Sequence, residues 1–309
     1  MSSPSQSHQI LLLGAGELGT AFVPHLSSLP NTHLTIGIRT VSKYQHLASS
    51  NVSLLSLDTS GPSIDLAEIF AAFDTVISCT GFGQPLGTIT KLAKEILQAG
   101  RIRRRRGAGK LWFFPWQWGV EYDVTGDAEG LMPLFGEQLE VRKRLRTDAA
   151  DSHVNWTIVS TGIFMSFLFE PFWGVVAKEE DGFTVRALRS WEHKVTVTDV
   201  QDIGKTLARI VAGDVDSQDR VLYVAGDTVS YAELADVVGR VTGQKVKREE
   251  WTIQHLKDEL ARDPEDVIKK YRVVFAGDGV WWDKEGTVNY RLGIPVIDVE
   301  TYVRALFST

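Results

Sequence analysis

LLLGAGELGT, Leu11 to Thr20, runs from an apolar strand into three glycines in G-x-G-x-x-G spacing, at Gly14, Gly16 and Gly19. Each answers one demand of a strand-to-helix turn built to hold a dinucleotide. Gly14 permits the tight turn, Gly16 lets the backbone approach a pyrophosphate, and Gly19 lets the new helix pack close. The first-turn amides, those of Glu17 and Leu18 among them, then face the phosphates. Alone, the spacing is a weak signal, and a glycine-rich structural turn is the alternative; after a strand that opens the chain and before a helix, it becomes specific. Pro24 lies inside that helix and is expected to kink it or deform its second turn, leaving the first turn unaffected.

Outward from this turn the chain alternates in period. QILLL, HLTIGI, NVSLLSL, DTVISC, KLWFF and VNWTIVS are short runs rich in Val, Ile and Leu, and most are separated by segments of helical spacing such as IDLAEIFAAF. Repeated strand and helix implies an α/β fold, a Rossmann-type doubly wound parallel sheet, with ligands outside the carboxyl ends of the strands. The end of the second strand selects the cofactor. Twenty residues beyond Gly19, where an NAD enzyme offers a carboxylate to the ribose, this chain has Arg39, followed by Thr40, Ser42 and Lys43. A guanidinium there suits a 2′-phosphate, so the expected cofactor is NADPH/NADP.

Other features narrow the class. A chain of 309 residues with 43% hydrophobic and 23% charged residues can bury a large core, as one elaborated α/β domain or two lobes. Its single cysteine, Cys79, excludes an internal disulfide and falls in an apolar run, TVISCTG, where a buried small residue is expected. A reducing compartment follows as the default, the cytoplasm with the nucleus left open. Residues 1–9 are expected to form a disordered leader, and no segment has the length and apolarity of a membrane span. Formal net charge of −6 argues against nucleic acid as the main partner. The run RIRRRRGAGK, Arg101 to Lys110, is locally very basic and reads as an extended surface loop between helix and strand, with Arg101–Arg106 a candidate contact for a protein partner. His153 and His193 stand apart and no cysteines pair, so no metal is expected; and no Tyr is followed four positions later by Lys.

GAGELG, IRTVSK, VISCTGFGQ, FFPWQWGVEYD, LFGEQLEVRKRL and, later, STGIF, HKVTVTDVQDIG and LYVAGDTVSYAELADVV together resemble the NmrA-like, isoflavone reductase-like group of atypical short-chain reductases. The resemblance spans about Ile10 to Leu306 and is nearest the microbial branch loosely called aromatic alcohol reductases. It implies an NADP-binding domain over residues 10–159 and 193–226 and a substrate lobe over 160–192 and 227–309, with a cleft between them. A monomer or homodimer acting on a hydrophobic small molecule is implied as well.

In the plant reductases of this group the helix after the fifth strand carries F-x-x-K, whose lysine works beside the nicotinamide. Counting from Phe135, that position is Gln138 here. Gln138 also interrupts an apolar helical stripe formed by Leu134, Val141 and Leu145. A carboxamide releases no proton near neutral pH and so cannot do acid–base work worth about 10²- to 10⁴-fold, although it can donate a hydrogen bond. Tyr122 and His193 are the candidate substitutes. Thr80, Gly81 and Phe82 after the fourth strand, Pro115 after the fifth, and Ser160, Thr161 and Gly162 after the sixth are expected to border the cofactor. Trp116, Trp118, Phe164, Phe167 and Trp191 are expected to line an aromatic substrate site. Three readings stay open: a reductase whose proton comes from elsewhere, a redox-neutral NADP enzyme catalysing isomerisation or cyclisation, and a redox-sensing regulator without catalysis. Elsewhere, Thr198 with Gln201 and Ser230 with Glu233 have capping-box spacing and should start helices.

Overall fold

The computed structural model describes residues 7–81 and 83–307. The expected cofactor residue Phe82 and most of the expected leader lie outside them. Ser7 is irregular, but His8 and Gln9 are not leader: they belong to the first strand, where His8 pairs with Thr32 and Gln9 with His33.

The strands in chain order are β1 (His8–Leu13), β2 (Thr32–Ile38), β3 (Val52–Ser56), β4 (Thr75–Ser78), β5 (Leu111–Phe114), β6 (Val154–Ser160) and β7 (Ile163–Phe164). They continue as β8 (Val176–Glu179), β9 (Gly182–Leu188), β10 (Lys194–Thr198), β11 (Arg220–Tyr223), β12 (Asp227–Ser230) and β13 (Val246–Trp251). The helices that matter below are α1 (Glu17–Ser27), α2 (Ser63–Phe70), α3 (Thr88–Arg105), α4 (Tyr122–Thr125), α5 (Pro133–Asp148), α6 (Val200–Val211) and α7 (Tyr231–Thr242).

One seven-stranded sheet has the order β11-β6-β5-β4-β1-β2-β3, with parallel pairing from β3 through β1 and β4 to β6. This is the doubly wound order, and the chain reverses direction between β1 and β4. A central parallel strand is covered on both faces, which is why β1 reads as a continuous apolar run and Ile10, Leu11 and Leu12 are fully buried. Helix α1 continues past Pro24 to Ser27.

Residue contacts divide the chain into two compact units. The first holds residues through Gln117, Gly136–Val159 and Gly204–Leu222; the second holds Trp118–Phe135, Ser160–Ile203 and residues from Tyr223 onward. The division departs from the expected boundaries at 118–135, at 193–203 and at 223–226. The second departure has a simple cause: β10 pairs parallel with β7 and antiparallel with β12, in a three-stranded sheet of its own. A further sheet, β13-β9-β8, completes the second unit, whose core gathers Trp173, Phe183, Val185, Tyr231, Leu234 and Phe275.

Two other expectations are corrected. The arginine run is not an extended loop: α3 carries through Arg105, because Ile96, Leu97, Ala99, Gly100 and Ile102 keep a buried helical face up to its last turn. Cations there also complement the negative end of the helix dipole. Arg103 is buried and donates to the carbonyls of Gly109 (2.7 Å), Ala71 (3.2 Å) and Phe73 (2.6 Å) and to Asp74 (2.9 Å). Arg106 pairs with Glu68. The second correction concerns α6. Its cap is Asp199, which accepts the amide of Gln201 at 2.9 Å, while the Thr198 hydroxyl turns to the carbonyl of Thr161 at 2.7 Å. At α7 the capping box of Ser230 and Glu233 is present.

Candidate functional site

A cavity of about 740 Å³ opens in the first unit at the carboxyl ends of the strands. Gly14 and Ala15 line it after β1, Arg39, Thr40, Lys43 and Tyr44 after β2, and Asp58, Thr59 and Ser60 after β3. Thr80 and the segment Gln84–Thr88 follow β4, and Lys91 of α3 closes the set. Its place at the reversal point between β1 and β4 is where ligands of such sheets bind.

The glycine turn is built for close approach. Gly14 has φ +95°, a left-handed conformation that a side chain resists, and a Cβ on Gly19 would stand 2.2 Å from the Gly14 carbonyl oxygen. A Cβ on Gly16 would meet nothing within 4 Å. Helix α1 begins at Gly16 without a side-chain cap, so its first-turn amides point outward as an anion site. Glu17 is exposed, whereas the Leu18 side chain is buried and leaves only its backbone to offer. Cys79 lies beneath this turn, 3.5 Å from the position of a Gly19 Cβ, and desolvation pushes its thiol well up.

Three cations, Arg39, Lys43 and Lys91, and one carboxylate, Asp58, line the cavity. The Asp58 carboxyl is held below its ordinary range first by the amide and hydroxyl of Ser60, against a lesser desolvation, and then by the nearby Arg39 and Lys91. Arg39, Thr40 and Lys43 are exposed at the rim. Sequence reasoning missed Tyr44, Asp58–Ser60, Gln84–Leu86 and Lys91. The signal for Asp58–Ser60 was present, because their place just past the third strand repeats that of Arg39 after the second.

Next to Thr80, Gly81 carries the ring of Trp116: a Cβ on Gly81 would stand 1.9 Å from it. Trp116, expected at the substrate, therefore packs flat on the backbone after β4, and Pro115 beside it is buried. Gln117 follows and is buried. Its Nε2 donates to the backbone carbonyl of Gln138 at 2.7 Å, and its Oε1 accepts from Nε of Arg142 at 2.7 Å. Gln138 is 1% exposed and Arg142, one helical turn on, is fully buried. The apolar stripe of α5 is thus interrupted twice, and the arginine escaped sequence reasoning because arginine normally marks an exposed face. Glu137 accepts the backbone amide of Gly87, tying α5 to the loop before α3.

The remaining expected residues lie in the second unit. Ser160 and Thr161 are fully buried, Thr161 and Gly162 donate their amides to the carbonyl of Gly119 at 2.9 and 3.1 Å, and a Cβ on Gly162 would stand 2.0 Å from the Thr196 carbonyl oxygen. The Thr161 carbonyl accepts the Thr198 hydroxyl of β10 at 2.7 Å, so the backbone of this segment lies against that strand. Tyr122 is buried edge-on to Phe135, with ring centroids 5.0 Å apart, and Trp118 is buried near it in sequence. His193, expected as a candidate acid, has an Nε2 that donates to the carbonyl of Phe275 at 2.9 Å and a ring that stacks on Tyr231, and burial lowers its pKa. A neutral ring already committed to a carbonyl is a poor proton source at neutral pH. Phe164 is half-buried at the end of β7, Phe167 packs edge-on against Phe172 and Trp173, and Trp191 lies under the Arg248 guanidinium, 5.4 Å from its centroid.

Among the described residues no helix is long and apolar enough to cross a membrane, and no three His, Cys, Asp or Glu side chains gather as a metal would require. Solved structures share the fold. The isoflavone reductase structure superposes with a TM-score of 0.75 at 16% identity, over 97% of this chain and 99% of its own. The leucoanthocyanidin reductase–NADPH complex of Vitis vinifera gives 0.74 at 16% identity, over 97% and 100%. In sequence, a Gibberella moniliformis protein described as an NmrA-like family domain-containing oxidoreductase is 39% identical over 96% of this chain and 98% of the relative. An isoflavone reductase homologue of Zea mays is 27% identical over 61% of this chain and 58% of its own. With the NmrA-like family model matching residues 6–279, this chain belongs to the NmrA-like family.

Proposed function

We propose that this protein is an NADPH-dependent oxidoreductase that delivers hydride to a hydrophobic, aromatic or conjugated small molecule carrying an enone, imine or carbonyl. One observation carries the reading: the glycine turn and the exposed Arg39 and Lys43 line a single cavity at the sheet's reversal point. The residues fit the cofactor, since Gly16 leaves open space for a pyrophosphate and the end of β2 offers a guanidinium to a 2′-phosphate. The oxidoreductase description of the Gibberella relative and the NADPH held by the Vitis neighbour support the same reading.

When bound, the cofactor supplies the hydride. The chain's own contribution is orientation and hydrogen bonding. Gln138, fixed through its backbone by Gln117, has a carboxamide that can donate to an oxyanion but holds no acidic proton. Substrates that need no enzyme proton suit such a site: an iminium carbon accepts hydride to give a neutral amine, and the enolate left by hydride addition to an enone takes its proton from solvent. The test is calorimetry with NADPH, NADP⁺, NADH and NAD⁺ on the wild type and Arg39→Ala, followed by loss of reduced-nicotinamide absorbance with enones, imines and carbonyls. Phosphate-selective binding that disappears in the variant supports the reading, and absence of binding by all four nucleotides overturns it.

A further inference from the structure

Lys91 looks like a third phosphate ligand, since it shares the cavity with Arg39 and Lys43. Its hydrogen bonds say otherwise. The ammonium donates to the carbonyls of Thr59 at 2.9 Å and Gly61 at 3.0 Å and pairs with Oε1 of Glu95 at 2.6 Å. An ammonium has three protons, so these partners leave none for a phosphate oxygen. Glu95 is only 2% exposed, and the same oxygen accepts the Ser63 hydroxyl at 2.8 Å, which fixes the pair one helical turn into α3. The turn that Lys91 holds is also braced from within: Asp58 accepts the amide of Ser60 at 2.9 Å through its carboxylate and that of Gly61 at 3.1 Å through its carbonyl. Asp58, Thr59 and Ser60 form one wall of the cavity.

Resting on the cofactor reading above, we infer that Lys91 is a positioning residue: the Lys91–Glu95 pair is a strut that holds the Asp58–Gly61 turn against α3 and sets the cavity wall for the nucleotide end common to NADPH and NADH. Discrimination between the two belongs to Arg39 and Lys43 alone. Removing the strut lowers the fraction of molecules with an ordered wall, and apparent affinity falls by that fraction.

The experiment compares Lys91→Met and the double variant Lys91→Met/Glu95→Leu with the wild type. The double variant removes the buried carboxylate that the single one strands, so it carries the test if the single variant does not fold. Calorimetry with NADPH and NADH should show both affinities reduced by the same factor, about tenfold if a tenth of the molecules keep the wall, with kcat at saturating NADPH unchanged. Hydrogen exchange of the Ser60 and Gly61 amides, both donated to Asp58, should quicken in the ligand-free protein. A selective loss of NADPH affinity would make Lys91 a phosphate ligand and overturn the inference, as would unchanged exchange at those amides. The exchange measurement needs no nucleotide, so it reads the strut even if the wild type binds none and the cofactor reading itself fails.

Discussion

Two clusters of positive charge stand in the first unit, and they differ in what their charges are committed to. At the end of α3, Arg103 is buried under four bonds and Arg106 pairs with Glu68. At the cavity rim, Arg39 and Lys43 are exposed, and Arg39 lies near enough to Asp58 to help hold that carboxyl ionised. The densest run of cations in the sequence thus gives its one buried member, Arg103, to the fold, while the sparser pair at the rim is exposed to a ligand. Charge density along a chain locates cations; their availability is decided by which carbonyls and carboxylates the fold brings to them.

Breaking the comparison from its committed side gives the largest effect. Arg103→Met strips the donor from three backbone carbonyls and should cost about 3 kcal/mol of stability, seen as a lower denaturant midpoint, with NADPH affinity of the folded protein unchanged. A collapse of nucleotide binding at full stability would reverse the roles assigned here. From the available side, Arg39→Ala should weaken NADPH about 30-fold, on the order of 2 kcal/mol, and leave NADH unaffected. Stability should stay within about 0.5 kcal/mol, as for other exposed positions.

A smaller effect follows from His8, which bonds Thr75 at 2.9 Å and lies beside Asp74. Burial lowers its pKa, with Asp74 opposing and Arg103 adding to the shift. A histidine with a depressed folded pKa contributes stability above its unfolded value of about 6.5 and loses it as pH falls through the folded value. Thermal midpoints should therefore decline from pH ~7 towards ~5, with a shallower slope in His8→Asn. An equal slope in that variant would place the titration elsewhere. Smallest of all, Arg106→Ala should change stability by no more than about 0.5 kcal/mol, since its pair with Glu68 is solvent-exposed. A loss like that of Arg103 would show that the whole run is structural.

The sheet and its glycine turn were legible in the sequence because both are local. Alternation of period marks parallel strands, and Gly14, Gly16 and Gly19 sit at fixed offsets inside one turn. The end of β2 was legible for the same reason, and so were the Ser230–Glu233 cap and the oddity of Gln138. What escaped depends on long-range pairing. A buried Arg103 or Arg142 cannot be told from an exposed one without knowing which carbonyls or amides reach it. The cap of α6 shifted by one residue because Thr198 and Asp199 are both competent caps, and only the Thr161 carbonyl, supplied by the β7 side, decided between them. Ser160, Thr161 and His193 are buried polar residues of the second unit, a burial that their residue types do not announce.

The bond from Gln117 to residue 138 ends on the main chain. Any amino acid presents that carbonyl, so the anchor is indifferent to which side chain occupies the position. In evolutionary terms this anchor holds the helix without constraining the side chain at position 138, whose choice is limited by its burial instead. Epistasis should fall on Gln117 and Arg142 instead: these are the positions at which a single replacement closes off further paths.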